Sequence, residues 1–128
     1  MVTSAQAAHA GPLVSVVLPV SGVEEYLPAC LDSLLSVPEP AGGIEVVAVD
    51  DASDDHCGAI LDARARADSR LRVIHAAGRT GPGPARMRGL AEAAGMYVWF
   101  VDPDDLVADG ALDAIAQKLT GCQPDVLL

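Results

Sequence analysis

Four short stretches of the chain are almost continuously apolar and rich in β-branched or aromatic residues: Leu13 to Val20, Ile44 to Val49, Leu71 to His75 and Tyr97 to Val101. Each gives way to Gly, Pro or Asp, which is the pattern of strands, the first, second and fourth of them buried on both faces. The segments between them carry a different period. Tyr26, Leu27, Cys30, Leu31, Leu34 and Leu35 recur at helical spacing, and Pro28 fits only in the first turn, so that helix starts near Glu24 to Tyr26. Ser21 and Glu24 have capping-box spacing there. A second helix carries Ile60 and Leu61. A third spans Ala85 to Ala94, with Met87, Leu90, Ala91 and Ala94 on one face and Gly95 at its C-terminal cap. The last has a face of Leu112, Ile115, Ala116 and Leu119, with Gly121 to stop it, and a fifth strand begins at Asp125 to Leu128. Residues 38–43 and 76–84 read as loops.

Strands alternating with helices predict an α/β fold, a Rossmann-like, mostly parallel sheet with right-handed crossovers. If the chain winds one way through three strands and returns to lay the fourth beside the first, the order is 3-2-1-4. The crevice outside the carboxyl ends at that reversal is where such sheets bind ligands. Pro19, Val20 and Ser21, then Asp50 and Asp51, then Asp102, Asp104 and Asp105 all fall there.

The acidic clusters supply the chemistry. Asp102-Pro103-Asp104-Asp105 puts three carboxylates in one turn, where they repel each other unless a cation is present, and a hard divalent ion such as Mg²⁺ or Mn²⁺ takes oxygen ligands of this kind. Asp50-Asp51-Ala52-Ser53-Asp54-Asp55 holds four carboxylates before a helix. Complementing the helix dipole accounts for Asp54 and Asp55 but not for Asp50 and Asp51 at the strand end.

Composition narrows the class. The 128 residues suit one domain, and an apolar content of 51% with only 3% aromatics means a core of Val, Leu, Ile and Ala. A net charge of −10 disfavours nucleic acid as a partner. Cys30, Cys57 and Cys122 have no metal-site or disulfide spacing and suit a reducing cytoplasm. Residues 1–11 lack the basic and apolar blocks of a secretory signal and read as a disordered tail before a domain at 12–128. No apolar run is long enough to cross a bilayer, so any membrane association would be peripheral.

Val14 to Val20, Glu24 to Leu31, Val47 to Asp54, Ala85-Arg86 with Gly89, and Asp102 to Asp105 resemble, in order and spacing, the motifs of family 2 glycosyltransferases of the GT-A fold. The resemblance covers nearly all the chain after residue 11. It implies a nucleotide-sugar donor, with a UDP-sugar expected, and a Mg²⁺ or Mn²⁺ ion held by a DXD-type motif. It places Pro19 under the nucleobase, Asp51 on the uracil ring nitrogen, Asp104 at the ribose, and Asp105 with Asp102 at the metal. Arg86 could donate to the diphosphate. The family usually has an aromatic and an Asn where Ser21 and Gly22 stand, an Asn at Met87, and an acidic residue at Met96. Those departures imply weaker or differently tuned donor binding.

The resemblance also implies that the catalytic base and acceptor site follow Leu128, making this chain the donor-binding part of an enzyme whose acceptor is an unknown glycan, lipid or polymer. It would work in the cytoplasm or at the cytoplasmic membrane face. An interrupted sheet edge leads us to expect self-association of such a fragment. Two other readings are a nucleotide-binding pseudoenzyme and a phosphoacceptor receiver domain. The latter would need its acidic pair after the first strand, where Pro19, Val20 and Ser21 stand.

Overall fold

The structure, a computed structural model, describes residues 2–4, 11–122 and 126–127, with backbone only at 2–4, 122 and 126–127. Its elements are β1 (Val2–Ser4), β2 (Val14–Val20), α1 (Leu27–Leu35), β3 (Ile44–Asp50), α2 (Cys57–Ala67), β4 (Leu71–His75), α3 (Pro82–Glu92), β5 (Tyr97–Phe100), α4 (Ala111–Cys122) and β6 (Val126–Leu127). The sheet order is β4-β3-β2-β5-β1-β6. Its first four members are mutually parallel and follow the order expected from the sequence, and β1 and β6 add antiparallel strands beyond β5. A receiver domain has its first strand placed differently, in the order 2-1-3-4-5, so this sheet excludes that alternative.

Every residue of β2 and β3 is buried because both sheet faces are covered. Val14, Val16, Leu18 and Val20 point to one side and pack with Leu27, Leu31 and Leu34 of α1, Leu61 of α2, and Leu112 and Leu119 of α4. Val17, Val47 and Val98 point to the other side, against Leu90 and Ala93 near the end of α3. This period-two division is why these strands read as continuous apolar runs rather than alternating ones. Helix α3 lies close to the sheet. A Cβ on Gly89 would come within 2.4 Å of Val17 Cγ1, so glycine sets the approach distance.

The structure moves several predicted boundaries. Val2–Ser4 is not a tail: it pairs along β5, whose side away from β2 otherwise offers unpaired backbone groups. Residues 5–10 lie outside the described residues. Helix α1 starts at Leu27 with no side-chain cap, so the capping-box reading of Ser21 and Glu24 is not realised. Pro82 and Pro84, read as loop, occupy the first turn of α3, where a missing N–H costs nothing. That helix ends at Glu92, so Gly95 is not its cap, and Gly121 lies inside α4 rather than stopping it. Cys30 and Cys57 are buried thiols, pushed up to about 11, chiefly by burial.

At the amino end of the sheet, the buried Glu45 carboxylate accepts from the Ser15 hydroxyl and the Ala94 N–H, and Ser15 Oγ accepts from the Gly95 N–H at 2.7 Å. This clamp joins β2, β3 and the turn into β5 at the end of the molecule opposite the acidic clusters.

Candidate functional site

Strands β2 and β3 end together, with Val20 opposite Asp50, while β5 ends opposite Val17, and β2 lies between the other two. With neighbouring strands ~4.8 Å apart, the chains leaving β3 and β5 are separated by on the order of 10 Å. A cavity of about 360 Å³ opens there. Pro19, Val20, Ser21 and Val23 form its floor at the end of β2, and Asp51, Arg79 and Gly81 its wall on the β3 side. Pro82, Ala85 and Arg86 line it from the first turns of α3, and Asp102, Pro103 and Asp104 close it beyond β5.

The two aspartates at the end of β3 are divided between different tasks. Asp51 lines the cavity and is almost fully buried. Its Oδ1 accepts from the Thr80 N–H and hydroxyl, both at 2.8 Å, and its Oδ2 from the Gly81 N–H at 2.8 Å. Burial alone would raise its pKa, but these bonds outweigh it and hold the carboxyl below its ordinary value. Two carboxylate oxygens offer about four acceptor directions, so one on Oδ2 is left for another donor. Ala52, the next residue, has φ 56°, a left-handed conformation that a non-glycine residue adopts only where the surroundings enforce it.

Asp50, expected beside Asp51 at the ligand, does not line the cavity. Adjacent strand residues face opposite sides, and Asp50 turns toward α2 instead. Its Oδ1 accepts from the Ser53 N–H at 3.0 Å, and its Oδ2 lies 2.9 Å from His75 Nδ1. The other ring nitrogen of His75 is 2.8 Å from Asp62 Oδ1, so one imidazole ties the ends of β3 and β4 to α2. Asp55 sits just before α2, where its charge was expected to complement the helix dipole; its Oδ1 accepts from the Cys57 N–H in the first turn, and that bond holds its pKa below the ordinary value.

The histidine clamp predicts a pH effect. Hydrogen bonds to Asp62 and then Asp50 raise His75 above its ordinary value of 6.5. Its contribution is therefore complete below about pH 6.5 and is lost as pH rises through the higher folded-state value. Burial pushes Asp50 up, but the bonds from Ser53 and His75 win and lower it, so its contribution is lost on acidification below its ordinary 3.8. Urea unfolding between pH 5 and 9 should show an alkaline decline in stability that shrinks in His75→Gln. An unchanged slope would mean that the clamp contributes nothing.

The third cluster lies beyond β5. Asp102, Asp104 and Asp105 are exposed, and one carboxylate oxygen from each lies within 4.8 Å of the others. Opposed ligands of a Mg²⁺ ion, with bonds of about 2.1 Å, sit roughly 4.2 Å apart, so small rotations would let the three aspartates share such an ion. The donor set is all oxygen and suits a hard cation. Arg86 Nη2 lies 2.9 Å from Asp102 Oδ1 and offsets part of the charge. Asp104 lines the cavity already described. Asp105 lines a second one of about 370 Å³ with Trp99, Phe100 and Leu106, and Asp102 borders both.

Sequence reasoning missed the role of the stretch from Arg79 to Gly81, which it read only as part of the loop over residues 76–84. Its position after β4 was the available signal, since every loop leaving this edge of the sheet borders the crevice.

An α/β sheet of this order, with acidic turns at its carboxyl edge, places the chain among the doubly wound α/β folds, whose ligand crevice lies at that edge. The sequence profile of glycosyl transferase family 2 matches residues 15–128, and the chain belongs to that family. It is 36% identical over 116 residues to an uncharacterized glycosyltransferase of Bacillus subtilis (strain 168), EpsJ, covering 91% of this chain and 33% of the relative. It superimposes on S. aureus TarS 1-349 in complex with UDP-GlcNAc with a TM-score of 0.78 and 33% identity, covering 85% of this chain and 31% of that one. The mannosyltransferase PcManGT from Pyrobaculum calidifontis, in complex with GDP-Man and Mn²⁺, gives a TM-score of 0.72 and 26% identity over 85% of this chain and 33% of that one. The chain thus spans about a third of the length of these proteins. Among the described residues, no helix is long and apolar enough to cross a membrane.

Proposed function

We propose that this chain forms the donor-binding part of a glycosyltransferase that takes a UDP-sugar together with a divalent cation. The observation that carries the reading is one cavity bounded by the buried Asp51 carboxylate on one side and by the Asp102 to Asp105 turn on the other. The separation suits a nucleotide lying across the end of β2. The base sits over Pro19 and Val20, with its imide N–H donating to the remaining acceptor direction of Asp51. The ribose faces Asp104, and the diphosphate lies toward Asp102, Asp105 and Arg86.

Asp102, Asp104 and Asp105 would hold the ion, which when bound neutralises the phosphates and stabilises charge on the departing nucleoside diphosphate. Arg86 orients the diphosphate and adds a fixed positive charge on the α3 side. Pro82, Ala85 and Pro103 exclude water from the apolar part of the cavity. The acceptor hydroxyl must lose its proton on the sugar face away from the diphosphate, which these carboxylates do not reach. None of the carboxylates named here is assigned that step.

Thermal unfolding with UDP or GDP, each with Mn²⁺ or EDTA, tests the reading. UDP with Mn²⁺ at 100 times its dissociation constant should stabilise the chain by about 2.7 kcal/mol. Equal stabilisation by UDP in EDTA would remove the metal from the proposal, and a preference for GDP would reassign the base.

A further inference from the structure

We propose that Arg79 supplies the flat face against which the donor's base stacks. The inference rests on the donor-site reading above and concerns a residue that reading leaves without a task. A nucleobase is a flat aromatic ring, and proteins hold such rings between planar side chains or apolar surfaces. Among the described residues, no Phe, Tyr, Trp or His lines this cavity, and the floor at the end of β2 carries Pro19, Val20, Ser21 and Val23. The planar cationic groups lining it are the guanidiniums of Arg79 and Arg86. Arg86 is held at the acidic turn beyond β5 by its 2.9 Å bond to Asp102. Arg79 is on the opposite wall, beside Asp51.

Two features suit Arg79 to the role. Its backbone is fixed at the base end, because the two residues that follow it donate their N–H groups to Asp51 at 2.8 Å. Its side chain is uncommitted by comparison. It is 57% exposed, and its ion pair with Asp54 is 3.7 Å long, to a partner 96% exposed. Such pairs contribute little, so the guanidinium can leave for a ligand at small cost. A guanidinium packs flat on aromatic rings, whereas a lysine ammonium offers no face. Asp51 would then read the edge of the base while Arg79 covers its plane.

Titration of the 128-residue chain with uridine, and with UDP in the presence of Mn²⁺, tests this in Arg79→Ala, Arg79→Lys and Arg79→Tyr. Thermal unfolding of each variant without ligand confirms the fold. Loss of a stacking partner should weaken both uridine and UDP by about 10-fold in Arg79→Ala and by a similar factor in Arg79→Lys. Arg79→Tyr should stay within about 3-fold of the original chain, because it restores a plane without a charge. Affinity retained by Arg79→Lys, no loss in Arg79→Ala, or a loss confined to UDP would overturn the stacking role, the last by moving Arg79 to the phosphates. Failure of the unsubstituted chain to bind either ligand would remove the donor site itself and this inference with it.

Discussion

Asparagine at Asp105 should abolish the metal dependence of UDP binding, while asparagine at Asp51 should weaken UDP and leave Mn²⁺ binding nearly intact. The asymmetry follows from what each carboxylate touches. Asp105 is exposed in a turn with Asp102 and Asp104, their oxygens within 4.8 Å of one another, and among the described residues no donor binds its carboxylate. Removing one charge from such a set leaves two carboxylates and waters to bind the ion, one of them shared with Arg86. Asp51 lies on the far side of β2 and cannot reach the same ion. Losing its charged acceptor should cost roughly 1.5–3 kcal/mol, or about 10- to 100-fold in UDP affinity. Part of that loss would come through Thr80 and Gly81, because an amide accepts through one oxygen where the carboxylate accepts through two. Manganese binding followed by paramagnetic resonance and UDP binding followed by calorimetry separate the effects. The same response of both ligands to both substitutions would show that base and metal are not read by separate clusters.

The four parallel strands were legible because they follow from periodicity, and their order followed from right-handed crossovers, whereas β1 was read as part of a tail. Residues buried on both faces write an uninterrupted apolar run, and a crossover helix leaves a 3.6-residue pattern whatever its exact ends. What the sequence concealed depends on direction rather than period. Asp50 and Asp51 look equivalent in a string, yet alternation along β3 sends one to Ser53 and His75 and the other into the cavity. That division could have been drawn from the two-residue period alone. For the loop from Arg79 to Gly81 the sequence offered only its position after β4, because what holds it to the site is hydrogen bonding to a carboxylate 29 and 30 positions away. Pro82 and Pro84 misled for a different reason: proline both breaks helices and opens them, and only the backbone around it decides which.

Alanine at Gly95 should lower the stability of the chain by about 3 kcal/mol, against the usual direction for glycine-to-alanine changes. Gly95 is not among the residues with positive φ, so its backbone conformation would accept alanine. The obstacle is space. A Cβ there would lie 2.5 Å from Ser15 Oγ, 2.6 Å from Ser15 N and 2.9 Å from Val14 C. Two of these are backbone atoms at the start of β2, which is paired on both sides and cannot withdraw. Relief must come from moving the turn before β5, and that breaks the Gly95 bond to Ser15 and strains the Ala94 bond to the buried Glu45 carboxylate. In a chain of this size the loss corresponds to a melting temperature lower by roughly 10 °C. Ser15→Ala combined with Gly95→Ala should recover little, because Ser15 N remains in the way. The site should be spared, since it is built from the carboxyl ends of the strands and Gly95 lies at the amino end of β5. UDP affinity measured well below the melting transition should therefore match that of the unsubstituted chain. A Gly95→Ala protein as stable as the original would mean that the close packing of this turn on β2 is not part of the native fold.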